Sequence, residues 1–438
     1  MLLNIEKLVY GGDGLSRLPA DSRGRGKAAF VPFVLAGEKI EAVLTEEKPG
    51  FARAQATAII GPSPNRVPPP CPHFGRCGGC HYQHTTYEQQ LEIKKAILRE
   101  NLRRIAKLEL QREIDVHPSP PWNYRNRSRF QVRACPDFAA GYFKFSSHEL
   151  LPVEECPISS PLINRALAAL WRTGRVGKAV EGVREVEFFA NSDDSQVLVE
   201  LLCAPEARRA AVRAWAEELS TSMPEIVGVT AFREPQKGVQ EPLVAVGASE
   251  LTYQTKTAAY RVSAGAFFQT NRFLIDELAN IVTHDRSGDL ALDLYAGVGL
   301  FSTALTGSIR HIVSVESSQT AAADLKYNLP LNAEVFHTAT DQYLVQRGDS
   351  GRAGNRAVPP LKPDLVVVDP PRGGLGERVA RLLAEVDAPR VSYVSCDPAT
   401  LARDLLPLQA AGYCVEEVHL VDLFPQTYHL ESVLHLVR

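Results

Sequence analysis

A long apolar run is missing from this sequence of 438 residues, whereas a helix that spans a membrane needs about 20 apolar residues in succession. The N-terminal segment, MLLNIEKLVY, also lacks the basic region and hydrophobic core of a secretory signal peptide. We therefore expect a cytoplasmic protein without a membrane partner. Because thiols stay reduced in the cytosol, the eight cysteines of the chain are not expected to form disulfides.

An excess of positive charge is missing as well. The chain has 48 Lys and Arg against 51 Asp and Glu, a net charge of −3, which argues weakly against a nucleic-acid partner. The distribution is more informative, because 11 basic and 4 acidic residues lie between Lys94 and Arg133. Arg125, Arg127 and Arg129 alternate like residues on one face of a strand, and aromatic residues flank them at positions 122, 124 and 130. We expect a surface that contacts phosphates, with a solvated charged face as the alternative.

A strand-to-helix turn near the C-terminus carries Cys396. The apolar run VSYV precedes this cysteine, and a helical pattern begins at Ala399. Open α/β sheets bind ligands at the carboxyl ends of their strands, and the amides that begin a helix favour a thiolate over a thiol. A lone cysteine in such a run is also compatible with a small buried hydrophobic residue, so the neighbouring motifs carry the argument.

Two of these motifs indicate a bound nucleoside. The segment LDLYAGVGLF is an apolar strand that runs into Gly297 and Gly299 and then into a helix, and glycine permits both a tight turn and the close approach of a ligand. A second strand, IVSV, ends in Glu316, 19 residues after Gly297, a spacing typical of an acid that holds a ribose. Ser302 replaces the third glycine of a dinucleotide motif. The pair therefore resembles the S-adenosylmethionine site of a Rossmann-type methyltransferase.

A third motif places an acid at the same sheet edge. The apolar run LVVV ends in Asp369, which is followed by two prolines and Arg372. Prolines restrict φ and remove backbone donors, so this stiff turn is expected to hold the Asp369 carboxylate near Cys396. An acid paired with a downstream cysteine favours attack on a carbon of a pyrimidine ring.

The motifs LDLYAGVG, DPPR, SCDP and FPQTYHLE, with AFFQTN upstream, together resemble the RNA 5-methyluridine methyltransferase family. The resemblance implies that Cys396 is the nucleophile that adds to carbon 6 of uracil, and that Glu431 is the base that removes the carbon 5 proton. It also implies a target base that leaves its stack, as in loops and distorted stems. The residues expected to bind the cofactor or the edge of the uracil are Gln269, Tyr295, Gly297, Glu316, Asp341 and Asp369.

Two positions depart from the family pattern. Leu300 follows the glycine turn where many members carry asparagine, so one side-chain contact to the cofactor is in doubt. Asp397 stands after the cysteine where asparagine is common, a change that we expect to be tolerated.

A second group of cysteines predicts a metal centre. Cys71, Cys77 and Cys80 lie in a loop rich in proline and glycine, and Cys156, which precedes a proline, is expected to be the fourth ligand. The spacing leaves two centres open, because structural zinc usually shows two short knuckles and iron–sulfur clusters accept a distant ligand. The resemblance favours a 4Fe–4S cluster, as in the ribosomal-RNA branch of the family. The other cysteines, Cys135, Cys203 and Cys414, are expected in the core.

The chain is expected to form three domains. Residues 1–61 read as short strands between glycine turns and resemble a TRAM domain, an OB-like barrel that binds RNA. Residues 62–255 are expected to form a central α+β domain with the iron–sulfur site. Residues 256–438 are expected to form an α/β Rossmann-type domain that is dependent on S-adenosylmethionine.

The sequence thus predicts an S-adenosylmethionine-dependent 23S rRNA (uracil-5-)-methyltransferase that acts as a monomer with RNA as its partner. The transfer-RNA enzyme of the same family is an alternative, although members of that branch often lack the barrel and the cluster cysteines. A non-catalytic RNA-binding assembly factor is the alternative from another class. A cytosine-5 enzyme is disfavoured, because its proline-rich motif carries a second cysteine and DPPR has none.

Overall fold

The computed structural model describes residues 1–19, 26–234, 241–331, 333–349 and 362–438. These residues form three sheets of six, seven and eight strands and one two-stranded ribbon. Within the described ranges, no helix is long and apolar enough to cross a membrane.

The first sheet has the strand order β1-β5-β6-β4-β3-β2. Its first and last members are consecutive in the chain, so the sheet curls back on itself around a small apolar core that includes Leu3, Val31 and Ile40. Its strands are β1 Leu2–Asn4, β2 Lys7–Leu8, β3 Gly14–Arg17, β4 Ala28–Val31, β5 Lys39–Glu47 and β6 Phe51–Gly61.

The second sheet has the order β10-β9-β8-β11-β12-β13-β14 and is antiparallel except for the parallel pair β12–β13. Two helices, α2 (Pro161–Thr173) and α3 (Arg209–Ser222), bury their apolar residues with it in one core. A π-helical turn, Gly174–Lys178, follows α2. The strands are β8 Arg127–Arg133, β9 Ala139–Phe143, β10 Leu150–Pro152, β11 Val183–Ala190, β12 Val197–Cys203, β13 Ile226–Arg233 and β14 Glu241–Gly247.

The predicted phosphate-contacting face on Arg125, Arg127 and Arg129 is wrong. β8 lies between β9 and β11, and acids of the neighbouring strands face its arginines. Arg127 is buried and forms ion pairs with Glu187 at 2.9 Å and Glu200 at 3.3 Å. Arg129 pairs with Glu187 as well. Arg127 therefore neutralises acids inside the protein, and the exposed Arg129 pairs with acids of the same sheet.

The third sheet has the order β19-β18-β17-β20-β21-β23-β22-β7. The five strands from β17 to β21 are parallel, and β23 runs antiparallel between β21 and β22. Its strands other than β7 are β17 Gly288–Leu294, β18 Ile309–Glu316, β19 Ala333–His337, β20 Leu365–Val368, β21 Arg390–Ser395, β22 Cys414–Val421 and β23 Glu431–Val437. The ribbon that precedes it consists of β15 Glu250–Gln254 and β16 Ala259–Ser263.

Six helices accompany the third sheet. The chain alternates between strands and helices here, as a doubly wound α/β fold requires. The strand order reverses between β17 and β20, and this switch point opens a crevice at the carboxyl ends of the strands. The helices are α4 Ile275–Thr283, α5 Leu300–Leu305, α6 Gln319–Asn328, α7 Thr340–Asp349, α8 Gly376–Val386 and α9 Pro398–Ala410.

A segment from the N-terminal half of the chain completes this third sheet. The predicted boundaries of the C-terminal domain, residues 256–438, therefore differ from the observed ones. Helix α1 (Tyr87–Arg104) packs its apolar face on α9, and β7 (Asp115–His117) pairs with β22. The buried Ile97, Leu98 and Leu102 share one core with residues of the third sheet. Predicted domain 62–255 is therefore divided, because the apolar face of α1 finds its partner in the C-terminal domain.

Candidate active site

The carboxyl ends of β17, β18, β20 and β21 lie at one edge of the third sheet, and β23 begins at that edge because it runs the opposite way. Residues that the sequence analysis singled out follow these strands directly. The register of β21 and β23 pairs Ser395 with Ser432. Cys396 follows Ser395 and Glu431 precedes Ser432, so these two residues face each other across the strands. Asp369 follows the neighbouring strand β20.

The glycine turn after β17 has the backbone geometry of a ligand cradle. Tyr295, Gly297 and Gly299 have positive φ angles of 63°, 56° and 99°. A Cβ atom at Gly297 would meet nothing within 4 Å, whereas one at Gly299 would lie 2.8 Å from Leu325. Gly299 is thus required by packing, and Gly297 leaves open space where a ligand can approach the backbone.

Glu316 is held beside this turn. Its carboxylate accepts hydrogen bonds from the backbone amide of Gly297 at 2.9 Å and from that of Ser318 at 2.6 Å. Both bonds hold the carboxylate at the carboxyl end of β18, where an acid can accept hydrogen bonds from the hydroxyl groups of a ribose.

The structure places two residues that the sequence related to the cofactor, Leu300 and Asp341. Leu300 is buried in the apolar core, so its side chain packs inside the domain and does not replace a polar cofactor contact. Asp341 lies in the first turn of α7, after the end of β19, and forms an ion pair with Arg378 at 3.5 Å. Burial raises the pKa of Tyr295, and the charge of Asp341 contributes to that shift, so the two side chains lie near each other.

Two buried carboxyl groups lie side by side at the base of the crevice. Burial raises the pKa of Asp293 to about 7 despite a hydrogen bond from Ser302. Burial and the charge of Asp293 likewise raise the pKa of Asp369, which accepts a hydrogen bond from the amide of Gln269 at 3.4 Å. Asp293 was not singled out from the sequence, although it lies within the LDLYAGVG motif.

Burial and the neighbouring acids favour the thiol form of Cys396, contrary to the expected thiolate. Burial raises the pKa of Cys396 to about 12, and the carboxylates of Glu431, Asp369 and Asp397 add to the shift while Arg372 opposes it. The first amides of α9 do not reach the sulfur, because the Asp397 carboxylate accepts both of them, from Ala399 and Thr400, at 2.9 Å. Aspartate is as good an N-cap as asparagine, which explains the departure at this position.

Glu431 is poised to accept a proton. Burial and the charge of Asp369 raise its pKa well above the usual value, and Arg372 opposes the shift. Its Oε1 atom is buried and has no hydrogen-bond partner among the described residues. A carboxylate without a donor is a stronger base than a solvated one. Arg372 is further engaged by His429, whose Nε2 lies 3.3 Å from the guanidinium.

One residue at the site comes from the N-terminal sheet. The Tyr10 hydroxyl donates to the backbone carbonyl of Cys396 at 3.1 Å, and its ring meets that of Tyr428 edge-on at 5.4 Å between centroids. Nothing near the YGGDG segment indicated a contact 386 residues away along the chain. Only the three-dimensional fold reveals it.

The four predicted metal ligands converge on one cavity, which the cysteine loop and Tyr142 of the second sheet help to line. Cys71, Cys77, Cys80 and Cys156 all line it. Burial raises the pKa of Cys77 to about 11, and Cys156 and Cys71 add to the shift. Thiols that raise one another's pKa in this way lose their protons when a metal binds. The donor set therefore fits a four-thiolate centre.

A buried cation lies beside the four cysteines. Arg125 has a raised pKa to which Tyr124, Tyr142 and Cys156 contribute, and its Nε atom has no partner among the described residues. The Tyr142 hydroxyl donates to Cys156 Sγ at 3.8 Å. A net negative thiolate centre would compensate this buried charge. Of the remaining cysteines, Cys203 is buried as expected, but Cys135 and Cys414 are exposed.

Another group of potential ligands lies away from both sites. Glu417, His419 and His435 bring one ligand atom each within 4.8 Å of one another. Both ring nitrogens of His435 already bond, to Ile281 O at 3.0 Å and Ser392 Oγ at 3.1 Å. This group therefore acts as a buried polar network that ties α4 to the sheet.

Comparisons with known proteins agree with the geometry. The family model described as tRNA (Uracil-5-)-methyltransferase matches residues 86–438. A protein of Aquifex aeolicus named uncharacterized RNA methyltransferase is 32% identical over 437 residues, which cover 98% of this chain and 97% of that protein. A Streptomyces coelicolor protein of the same description is 33% identical over 464 residues, with 98% and 91% coverage.

Among solved structures, the tRNA (uracil-54, C5)-methyltransferase of Pyrococcus abyssi, in complex with S-adenosyl-L-homocysteine, has a TM-score of 0.74. It is 24% identical, and the match covers 100% of both chains. This likeness shows a shared fold over the whole length, including the N-terminal sheet. The chain belongs to the tRNA (uracil-5-)-methyltransferase family and is an S-adenosylmethionine-dependent RNA uracil-5 methyltransferase.

Proposed function

We propose that the chain forms 5-methyluridine in 23S ribosomal RNA through a covalent adduct between Cys396 and carbon 6 of uracil. The observation that supports this best is the strand register that sets Cys396 opposite Glu431, a buried carboxylate with a free oxygen atom. A nucleophile and a base on adjacent strands can act on the two neighbouring carbons of one ring.

In this mechanism, the Cys396 thiol first gives up its proton to solvent, and the thiolate sulfur bonds to carbon 6. The double-bond electrons move toward the carbonyl oxygen to form an enolate. Carbon 5 of the enolate takes the methyl group, whose bond to the sulfonium breaks and leaves S-adenosylhomocysteine. Glu431 then removes the carbon 5 proton, and the cysteine leaves as the double bond re-forms. Glu316 and the turn at Gly297 hold the nucleoside part of the cofactor, with Tyr295 and Asp341 beside it and Asp369 and Gln269 near the reacting groups.

The substrate is proposed from the resemblance to the ribosomal-RNA branch. Transfer RNA is the second candidate, because the Pyrococcus abyssi tRNA enzyme shares the fold over the whole chain. The presence of an N-terminal sheet consequently does not distinguish the two classes of RNA. We propose that the chain acts as a monomer.

The test uses Glu431→Gln with both classes of RNA. An amide cannot accept the carbon 5 proton, so the variant should accumulate a methylated, covalent protein–RNA adduct that survives denaturation. Cys396→Ala should form none and should still bind S-adenosylmethionine. The adduct should form on 23S rRNA transcripts and not on tRNA transcripts. Release of methylated RNA by Glu431→Gln at a normal rate would contradict the role of Glu431, and adducts on tRNA alone would identify the other substrate.

A 4Fe–4S cluster is proposed at Cys71, Cys77, Cys80 and Cys156. The support is the convergence of four thiols with a buried arginine, because a cluster with four thiolates is anionic and Arg125 compensates it. When bound, such a cluster supplies a rigid cross-link and a centre that can exchange an electron. The residues Tyr142 and Arg125 orient and neutralise its sulfur ligands.

Anaerobically purified protein should be brown and contain about four irons per chain. Cys156→Ser should lose the visible absorption band, and Cys414→Ser, which changes an exposed cysteine, should retain it. Colourless wild-type protein with stoichiometric zinc would contradict the cluster.

The curled sheet of residues 1–61 is proposed as the TRAM-like RNA-binding barrel. The Phe30 and Phe51 rings meet at 5.9 Å, and Lys48 and Arg53 lie 5.6 and 5.8 Å from the centroid of Phe51. Aromatic rings with adjacent cations are typical of surfaces that stack unpaired bases. This patch is therefore a candidate contact for the RNA strand around the target uridine.

A further inference from the structure

The loop between β2 and β3 of the N-terminal sheet reaches into the catalytic crevice. It is tight, since Val9 N donates to Asp13 O at 2.9 Å and Gly12 N donates to Val9 O at 3.1 Å. Gly11 and Gly12 have φ angles of 107° and 94°. A Cβ atom at Gly12 would lie 3.1 Å from the ring of His81, so glycine is required for the loop to pack against His81.

Contacts on both sides hold this loop in place. Lys7, at its base, forms an ion pair with Glu100 of α1 at 2.5 Å. At its tip, the half-buried Tyr10 packs in the core of the third sheet. Tyr428, the ring that Tyr10 meets, is also contacted edge-on by His81 at 4.6 Å. The position of Tyr10 is thus determined by three separate parts of the chain.

The Tyr10 hydroxyl acts on the peptide that carries the proposed nucleophile. It donates to the Cys396 carbonyl at 3.1 Å. The N–H group of the same peptide, which belongs to Asp397, donates to Ser395 Oγ at 3.2 Å, and Ser432 Oγ donates to Ser395 O at 3.2 Å. The carbonyl of this peptide is thus held by a donor from the N-terminal sheet, whereas its N–H group is held from within the third sheet.

We propose that Tyr10 is a positioning residue, which orients the Cys396 peptide and links the N-terminal sheet to the nucleophile. This proposal rests on the proposed role of Cys396. A small rotation of the Cys396 peptide would move the sulfur away from carbon 6, and reaction rates are sensitive to such displacements. The same side chain contacts Tyr428 on the loop that leads to Glu431, so one residue of the first sheet contacts both catalytic turns.

The linkage has a consequence for substrate selection. RNA that displaces or tilts the N-terminal sheet would also displace Tyr10. RNA that leaves the N-terminal sheet in its place keeps the nucleophile aligned. RNA that shifts the sheet lowers the reaction rate, and its affinity need not fall. The N-terminal sheet would then contribute to kcat and not only to the affinity for RNA.

The experiment measures covalent addition directly, with RNA that carries 5-fluorouridine at the target position. Fluorine at carbon 5 leaves no proton for a base to remove, so the methylated adduct persists and its formation can be timed by rapid quenching. Tyr10→Phe removes only the hydroxyl. Tyr327→Phe, whose ring is 68% exposed, is the matched control.

At saturating RNA and cofactor, Tyr10→Phe should form the adduct about fivefold more slowly, the effect of one neutral hydrogen bond. Its Kd values for RNA and S-adenosylmethionine and its Tm should equal those of the wild type and of Tyr327→Phe. Equal rates in all three proteins would overturn the proposal, and so would a rate loss that follows a lower Tm or a weaker RNA Kd. If the wild type itself forms no adduct, the proposed nucleophile fails and the role of Tyr10 fails with it.

Discussion

Glu431, the proposed base, shows how a side chain suited to chemistry can lower the stability of its own fold. Its buried carboxyl group has no donor at Oε1 among the described residues, so it is easily left as an acid and is difficult to ionise. Such a group is useful only because its base strength rises with its pKa. The ionised form of Glu431 therefore lowers stability because of the site in which it is buried, and not because the side chain packs poorly.

The stability of the Glu431→Gln variant should therefore depend on pH in a defined direction. The pKa of Glu431 is raised in the folded protein, so its neutral form contributes stability below the unfolded pKa, and that contribution is lost as pH rises through the folded pKa. Glutamine does not ionise. Urea denaturation should show similar stability of variant and wild type at pH 4.5, and a variant that is more stable by on the order of 1–3 kcal/mol at pH 8.

Glu416→Gln is the control, because Glu416 is exposed on the neighbouring strand β22. Its stability should differ little from that of the wild type at either pH. A Glu431→Gln variant that is destabilised equally at both pH values would mean that the carboxylate forms a stabilising contact.

At this scale, the sequence predicted which side chains meet but not their charge states. Cys396 and Glu431 could be paired because each follows or begins a strand within a recognisable motif. The thiolate expectation was wrong because Asp397, the next residue, accepts the helix amides itself. The direction of a side chain relative to a helix end is a three-dimensional property that spacing does not reveal.

Helix α1 is the element that joins the N-terminal half to the catalytic domain. Lys94 on α1 is fully buried, and its Nζ donates to Asp422 at 2.6 Å and to Phe424 O at 2.9 Å. The helix also presents Gln90, whose side chain bonds both the backbone amide and the side chain of Gln426. The segment that precedes Glu431 is thus held from outside the catalytic domain.

Lys94→Met should lower the free energy of unfolding by about 3–5 kcal/mol, because it leaves the Asp422 charge buried without its cation. Adding Asp422→Asn should recover part of that loss. Arg99→Met on the same helix breaks a pair with Glu113 that is exposed on both sides, and it should change stability by less than about 1 kcal/mol. Urea denaturation of the four proteins is the measurement. Equal effects of Lys94→Met and Arg99→Met would contradict a structural role for the buried pair.

The sheet on which α1 packs could not be predicted from the sequence. Amphipathic periodicity indicates that a helix has a buried face, yet it carries no information about which sheet covers that face. The three residues of β7 are too few to show strand alternation. The assignment of α1 and β7 to the C-terminal sheet therefore depends on contacts between distant parts of the chain.

At the scale of the whole molecule, the two predicted sites lie on either side of one short segment. The cysteine loop supplies backbone amides from His81 and Tyr82 to Gln426 O at 2.8 and 3.0 Å, and the Tyr124 hydroxyl donates to Pro425 O at 3.0 Å. Arg125 lies over the Phe424 ring at 6.0 Å. Motifs identified each site separately, but their adjacency required the fold, since nothing in a spacing relates residue 80 to residue 426.

The short strand β7 has a further consequence, for solubility. An uncovered strand edge is a template on which copies of a chain can pair and aggregate. β7 pairs with three residues of β22, His419 to Val421, and its own outer edge is three residues long and includes the exposed Asp115. Brevity and charge are the features by which sheet edges resist such pairing. The N-terminal segment thus shortens the open sheet edge on which copies of the catalytic domain could pair.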